Sequence, residues 1–141
     1  MSNEENKANS RRLVERINQG DLAIIDELCT PDHVSHTPPL TTHGPEEYKQ
    51  SFSVVLTAFP DLHFTIEDQL VEADLVATRY RWSGTHTREF MGIPPTGKLV
   101  MVNGISISHW IDGKSDEVWT NFDNLGLLQQ LGVIPAPEQS G

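Results

Sequence analysis

At Asp61 the hydrophobic period of the chain changes, and that change decides which folds are open to it. Before it, apolar residues recur three and four apart: Leu13, Val14 and Ile17, then Leu22, Ile25 and Leu28, then Tyr48, Phe52, Val55, Leu56 and Phe59. That spacing lines one face of an α-helix. After it, Leu62, Phe64 and Ile66 alternate with polar residues, and the alternation returns in LVATRYRWSGTH, KLVMVNGISISHWI and SDEVWTNF. This is the period of a strand with one buried face. Helices first and antiparallel strands after predict an α+β domain, with N-terminal helices packed on one face of a curved sheet. A strongly bent sheet closed by helices makes a cone, whose cavity is lined by alternate residues of each strand.

Turn and cap residues set the boundaries. Gly20 stops a helix over 5–19, and Asp21 is placed to cap a second short helix that Pro31 ends. DHVSHTPPLTTHGP reads as a loop with one short strand near Val34. Gly44 and Pro45 open a third helix, with Glu46 and Glu47 suited to its first turn and Pro60 beyond its end. EAD and DGK mark hairpin turns. The connection 87–97 holds Phe90, Met91 and Ile93, too apolar for water, and is expected to fold over an opening or against another subunit. Leu125, Leu128 and Leu131 give a short last helix that Gly132 stops. The whole 1–141 reads as one domain, with 1–4 and 135–141 expected to fray.

Several function classes are excluded by charge and composition. Net charge is −10 with no basic cluster beyond Arg11–Arg12, which argues against nucleic acid or anionic lipid as partner. No apolar run approaches the ~18 residues of a membrane span, and MSNEENKANSRR has no apolar core for a secretory signal. One cysteine, Cys29, cannot form an internal disulfide, so a cytoplasmic home is expected. The six histidines (33, 36, 43, 63, 86 and 109) include no i, i+4 pair on a helix and no HExxH, so no metal site is expected. His33, His43 and His63 read as solvent residues.

Carboxylates and histidines near a cavity remain. On 75–86, Val76, Thr78, Tyr80, Trp82, Gly84 and His86 form the more apolar alternate set and are expected to face inward, with Arg79 and Arg81 outward. A type I turn with a bulge at DGK would set Asp123 opposite Met101 and Asn121 opposite Asn103. Asp123 and His86 would then share one rim of the cavity, with His109 far along the strand. Trp119, Asn121 and Asp123 share one face, and Asp123 also stands where a helix N-cap belongs.

GTHTREFMGIPPTGK, then SISHWIDGKSDEVW and DNLGLLQQLG, resemble the SnoaL-like polyketide (ester) cyclase family of the nuclear-transport-factor-2-like superfamily. DHVSHTP and the GPEEYKQSF to VATRY stretch fit the same pattern, so the likeness covers nearly the whole chain. The resemblance implies a cystatin-like cone and intramolecular aldol ring closure of a hydrophobic ester substrate, without metal or cofactor. It implies Asp123 as the acid/base, His86 as the histidine of the GTH motif and His36 as that of an H-x-P loop motif. Apolar neighbours would strengthen a carboxylate as a base, and His86 or Asn103 could donate to the developing oxyanion. Trp82, Asn103, His109, Trp119 and Asn121, with His36, are the candidate substrate contacts. A non-catalytic small-molecule binder, a ketosteroid-isomerase-type enzyme and an epoxide hydrolase are the alternatives on this scaffold. Apolar material on the outer face of a one-layer sheet, with Arg79 and Trp110 there, predicts a homodimer or homotetramer.

Overall fold

The chain starts its first helix on Ser2, whose hydroxyl accepts the Glu5 N–H at 3.1 Å. The structure, a computed structural model describing residues 2–135, then runs α1 (Asn3–Asn18), α2 (Ile24–Leu28), β1 (Cys29–Thr37), β2 (Leu40–His43), α3 (Gly44–Ala58), β3 (His63–Glu72), β4 (Leu75–Thr85), β5 (Leu99–Ile111), β6 (Lys114–Phe122) and α4 (Asn124–Leu131). Residues 2–4 are therefore capped and helical rather than frayed, and the rest of the expected fraying, 1 and 136–141, lies outside the described residues. Asp21 does not cap α2, whose N-cap is Ala23. Its carboxylate instead takes Arg16 at 2.9 Å. Among the described residues no helix is long and apolar enough to cross a membrane.

One six-stranded sheet, in the order β2-β1-β6-β5-β4-β3, carries the fold, as the α+β expectation requires. Two parts of that expectation change. The strand near Val34 extends over 29–37 and pairs with a second strand at 40–43 where loop was expected, and β1 lies parallel to β6, so the sheet is not wholly antiparallel. α2 delivers the chain to the end of the sheet where β6 begins, Cys29 facing Ser115, and β1 must then run the same way as its neighbour. Both sharp turns are two residues long with positive φ at each, Ala73 and Asp74 in one, Asp112 and Gly113 in the other, which matches the twist of the strands they join.

Two apolar clusters fill most of the concave side. One gathers Ile17, Ile24, Ile25, Leu28, Tyr48, Val76, Trp110 and Val118. The other gathers Phe59, Leu62, Trp82, Phe90, Val100, Val102, Leu127 and Leu131. Trp110, expected outside, is in the first cluster and donates its indole N–H to Ser108 at 2.8 Å. α4 meets the second through Leu127 and Leu131, while Leu125 is exposed. The 87–97 connection closes this end as expected: Phe90 packs edge-on against Phe59 at 5.4 Å and pairs with Ile93. Two carboxamides stand in for missing strands. Asn18 exchanges two hydrogen bonds with the Phe64 backbone on the edge strand β3, and Gln130 does the same for Met101 beyond the end of β6.

Gly84 lies under Phe59, and a Cβ there would sit 2.8 Å from the Phe59 Cβ, an atom that cannot swing aside. Gly84→Ala is expected to destabilise the protein by about 1–3 kcal/mol through overpacking. A urea midpoint equal to that of the parent protein would show that the cluster is looser than this.

Candidate functional site

Register across β4, β5 and β6 decides which side chains can share a site. Val76, Thr78, Tyr80, Trp82 and Gly84 do face inward, as their composition predicts. Their partners on β5 are Ser108, Ser106, Gly104, Val102 and Val100. On β6, Gly104 meets Phe122, Ser106 meets Thr120 and Ser108 meets Val118. Asn103, His109, Trp119 and Asn121 therefore belong to the opposite, outer face. The expected pairing of Asn121 with Asn103 is displaced by two residues, Asn121 facing Ile105, because the DGK turn has positive φ at both centres and the bulge comes later, between His109 and Trp110.

The two residues expected to act together are thus apart. Asp123 is exposed, follows the outward Asn121 by two, and its Oδ1 accepts the Gly126 N–H at 2.9 Å as the N-cap of α4. Its own N–H goes to the Asn103 carbonyl at 2.9 Å. His86 is on the inner side with 0% of its surface exposed, stacked on Phe59 at 5.4 Å. Its Nδ1 accepts the Thr96 N–H at 3.2 Å, and His86 backbone groups hold Gly97 and Lys98. A rim shared by Asp123 and His86 does not form.

Other candidates divide the same way. Trp82 faces inward but is packed edge-on to Phe59 at 5.3 Å in the core. His36 lies outside, its Nε2 2.6 Å from Glu117 and its ring stacked on Trp119. His109 is paired with Asp116 at 2.6 Å. Arg79 and Arg81 point outward as expected and pair with Asp68 and Glu67. Asn103, Asn121 and Asp123 do come together, with Arg79, Tyr80, Gly104, Ile105 and Phe122, around an open cleft of about 460 Å³. Among the described residues no group of three or more His, Cys, Asp or Glu could hold a metal.

The concave face offers a different constellation. Gln69, Thr78, Ser106 and Thr120 are successive cross-strand partners and form one polar row over four strands. It runs between the rows of Val76 and Trp82, which belong to the two apolar clusters. Thr78 is buried, whereas Ser106 and Thr120 are half-buried, so the row meets solvent towards β6. The next row is Tyr80, Gly104 and Phe122. Gly104 makes room for Tyr80, since a Cβ there would meet the phenol ring at 2.5 Å. Burial pushes the Tyr80 phenol up to about 12, so at neutral pH it is a hydrogen-bond donor. No Asp or Glu among the described residues is buried.

Alternation on the late strands puts Ser106 and Thr120 on one face and Asn103 and Asn121 on the other. His33, expected in solvent, is buried beside Tyr48 with ring centres 4.8 Å apart. Desolvation holds its pKa below the usual 6.5 against the opposing pull of Asp116, Glu117 and Asp32. Only the strand assignment of 29–37 could have shown this, because His33 and Ser35 alternate inward with Val34 and His36 outward.

The sequence profile of SnoaL-like polyketide cyclases matches residues 8–131. The aklanonic acid methyl ester cyclase AcmA of Streptomyces galilaeus is 31% identical over 132 residues, covering 91% of this chain and 90% of that protein. DnrD of Streptomyces peucetius, also an aklanonic acid methyl ester cyclase, is 30% identical over 135 residues, with 91% and 92% covered. The structure of TsrD from Streptomyces laurentii superposes with a TM-score of 0.85 at 27% identity, over 95% of this chain and 99% of that one.

Because folded His33 is held neutral, unfolding lets it gain a proton once pH drops below about 6.5. Its contribution is present above that value and is lost as pH falls towards the depressed folded-state pKa. The melting temperature is expected to drop more between pH 7 and pH 5 in the parent protein than in His33→Phe. Parallel pH profiles for the two would remove His33 from the account.

Proposed function

The chain belongs to the SnoaL-like polyketide cyclase family, and on that premise we propose that it closes a ring in a carbonyl-bearing, largely apolar small molecule by intramolecular aldol addition on the concave face. The observation that carries this reading is the polar row of Thr78, Ser106 and Thr120, with Tyr80 alongside, set between two apolar clusters. Apolar walls suit a fused-ring body, and the hydroxyls suit its oxygens. A carbon between a ketone and an ester loses its proton readily once the enolate oxygen is stabilised, and Tyr80 is the donor placed for that oxygen. The proton leaves to water at the half-buried Ser106–Thr120 end. The enolate carbon then bonds to the ketone carbon held beside it, and the resulting alkoxide takes a proton back from water. The chain's largest contribution is the geometry in which the two carbons meet.

In this reading Asp123 is a helix cap, and its part in turnover is small. With aklanonic acid methyl ester, the substrate named for the relatives, Tyr80→Phe is expected to lower kcat roughly 100-fold, the scale of a lost oxyanion donor. Asp123→Asn keeps the cap and is expected to retain turnover. A collapse of activity in Asp123→Asn with an unchanged melting temperature would return the acid/base role to that carboxylate. The absence of a buried carboxylate among the described residues favours one second reading, a binding protein without turnover. Tight binding of the ester by the parent protein with no ring closure would establish it.

We further propose that two copies meet through the outer sheet face. Ile105, Ile107, Ile111, Leu75 and Trp119 are exposed there, a contiguous apolar surface of the kind that marks an interface. The protein carries −10 overall. On this face Arg79–Asp68, Arg81–Glu67, His36–Glu117 and His109–Asp116 are paired, so two such faces can approach without strong repulsion. Sedimentation at micromolar concentration is expected to give a dimer mass for the parent protein and a monomer for Ile107→Asp. A parent protein that sediments as a monomer rules the interface out.

A further inference from the structure

Gly104 stands inside β5, paired on both sides, with Tyr80 opposite it on β4 and Phe122 opposite it on β6. Glycine weakens a strand interior, and φ at this position is not positive, so backbone geometry does not call for it. The ring of Tyr80 does. A Cβ at Gly104 would lie 2.5 Å from the phenol Cζ and 2.6 Å from the hydroxyl oxygen, against 3.0 Å from Cε1. The hydroxyl end of the ring therefore occupies the place of the missing side chain. Tyr80 starts from β4, and neighbouring strands lie about 4.8 Å apart. Its hydroxyl is thus carried over β5, one strand nearer to β6 than its own backbone. Phe64, on the β3 side, packs against the ring with centres 5.8 Å apart and backs it from behind. The next inward residue on β5 is Ser106, half-buried, on the part of the polar row that meets solvent. Tyr80 itself is half-buried.

We propose that Gly104 is a positioning residue: the side chain it lacks lets the Tyr80 hydroxyl reach across β5 to the open end of the polar row, where a ligand oxygen and solvent can both be met. A side chain at 104 makes the phenol withdraw towards β4, and the donor is lost to that end. Gly104 acts only through the ring. This rests on the reading of Tyr80 as the oxyanion donor and adds what sets that donor's place.

Three measurements separate placement from packing. With the methyl ester used for Tyr80→Phe, Gly104→Ala is expected to lower kcat towards the roughly 100-fold loss of a missing oxyanion donor, with KM changed less than about 3-fold. In a Tyr80→Ala background, where an added Cβ has room, Gly104→Ala is expected to leave turnover within about 2-fold of Tyr80→Ala alone. That comparison stands even if the Gly104→Ala single variant fails to fold. The chain has two tyrosines, so protein labelled with 3-fluorotyrosine gives two fluorine resonances. Gly104→Ala is expected to move the one that Tyr80→Phe removes and to leave that of Tyr48 in place. A lower melting temperature with parental kcat means packing alone and overturns the proposal. So does a further loss of turnover in the Tyr80→Ala background, or a Tyr80 resonance that does not move. Should the parent protein show no ring closure, a moved Tyr80 resonance upholds the placement and only the cyclase reading falls.

Discussion

Because strand side chains alternate, one face assignment propagates through every hydrogen-bonded neighbour. Val76, Thr78, Tyr80, Trp82 and Gly84 point inward on β4. Cross-strand pairing then sends Ser106 and Gly104 inward on β5 and Thr120 and Phe122 inward on β6, and sends Asn103 and Asn121 out. Asn121 reaches the concave side only if the strand pairing slips by one, which would also turn Val118 and Phe122 into water and drag Trp119 into the core. The apolar clusters therefore hold the register, and the register places the site.

Within that frame the polar row is the costly feature. Hydroxyls and a carboxamide sit between two apolar clusters, where each must find a partner or forfeit its hydration. Gln69 satisfies part of the need by linking Ser10 to Thr78, tying α1 to the sheet at mid-height. At its lower end α1 is tied again by the paired bonds of Asn18 to Phe64. A helix fixed at two heights gives the concave side a rigid wall, which suits a site whose work is orientation.

Local chemistry explains what was legible in the sequence. The change of period at Asp61, the Gly44–Pro45 helix start, the DGK turn and the inward set on β4 each depend on residues close together in the chain. The readings that failed depend on distant ones. The long connection between β4 and β5, residues 86–98, does not transmit register, unlike a two-residue hairpin, so Asn103 could be given the wrong face. Asp32 to Pro45 read as a loop with one short strand near Val34 because its prolines hid the rest of the alternation, and with the strand seen only in part His33 looked solvated. Asp123 had two readings that its sequence position serves equally well, and the structure shows the contact that belongs to the cap.

The two readings of Asp123 are also physically opposed. A cap uses the carboxylate as a standing acceptor for the Gly126 N–H, and Gly126 brings its backbone close because it has no Cβ: one built there would lie 2.1 Å from the Asp123 Oδ2. A base must be free to receive a proton and to turn towards the substrate. Gly126 thus supports the cap, and α4 depends on that cap to carry Leu127 and Leu131 into the cluster around Trp82. As a cap the carboxylate holds α4, which closes one end of the concave side, and in the reading proposed above the hydroxyls on that side are left to meet the ligand.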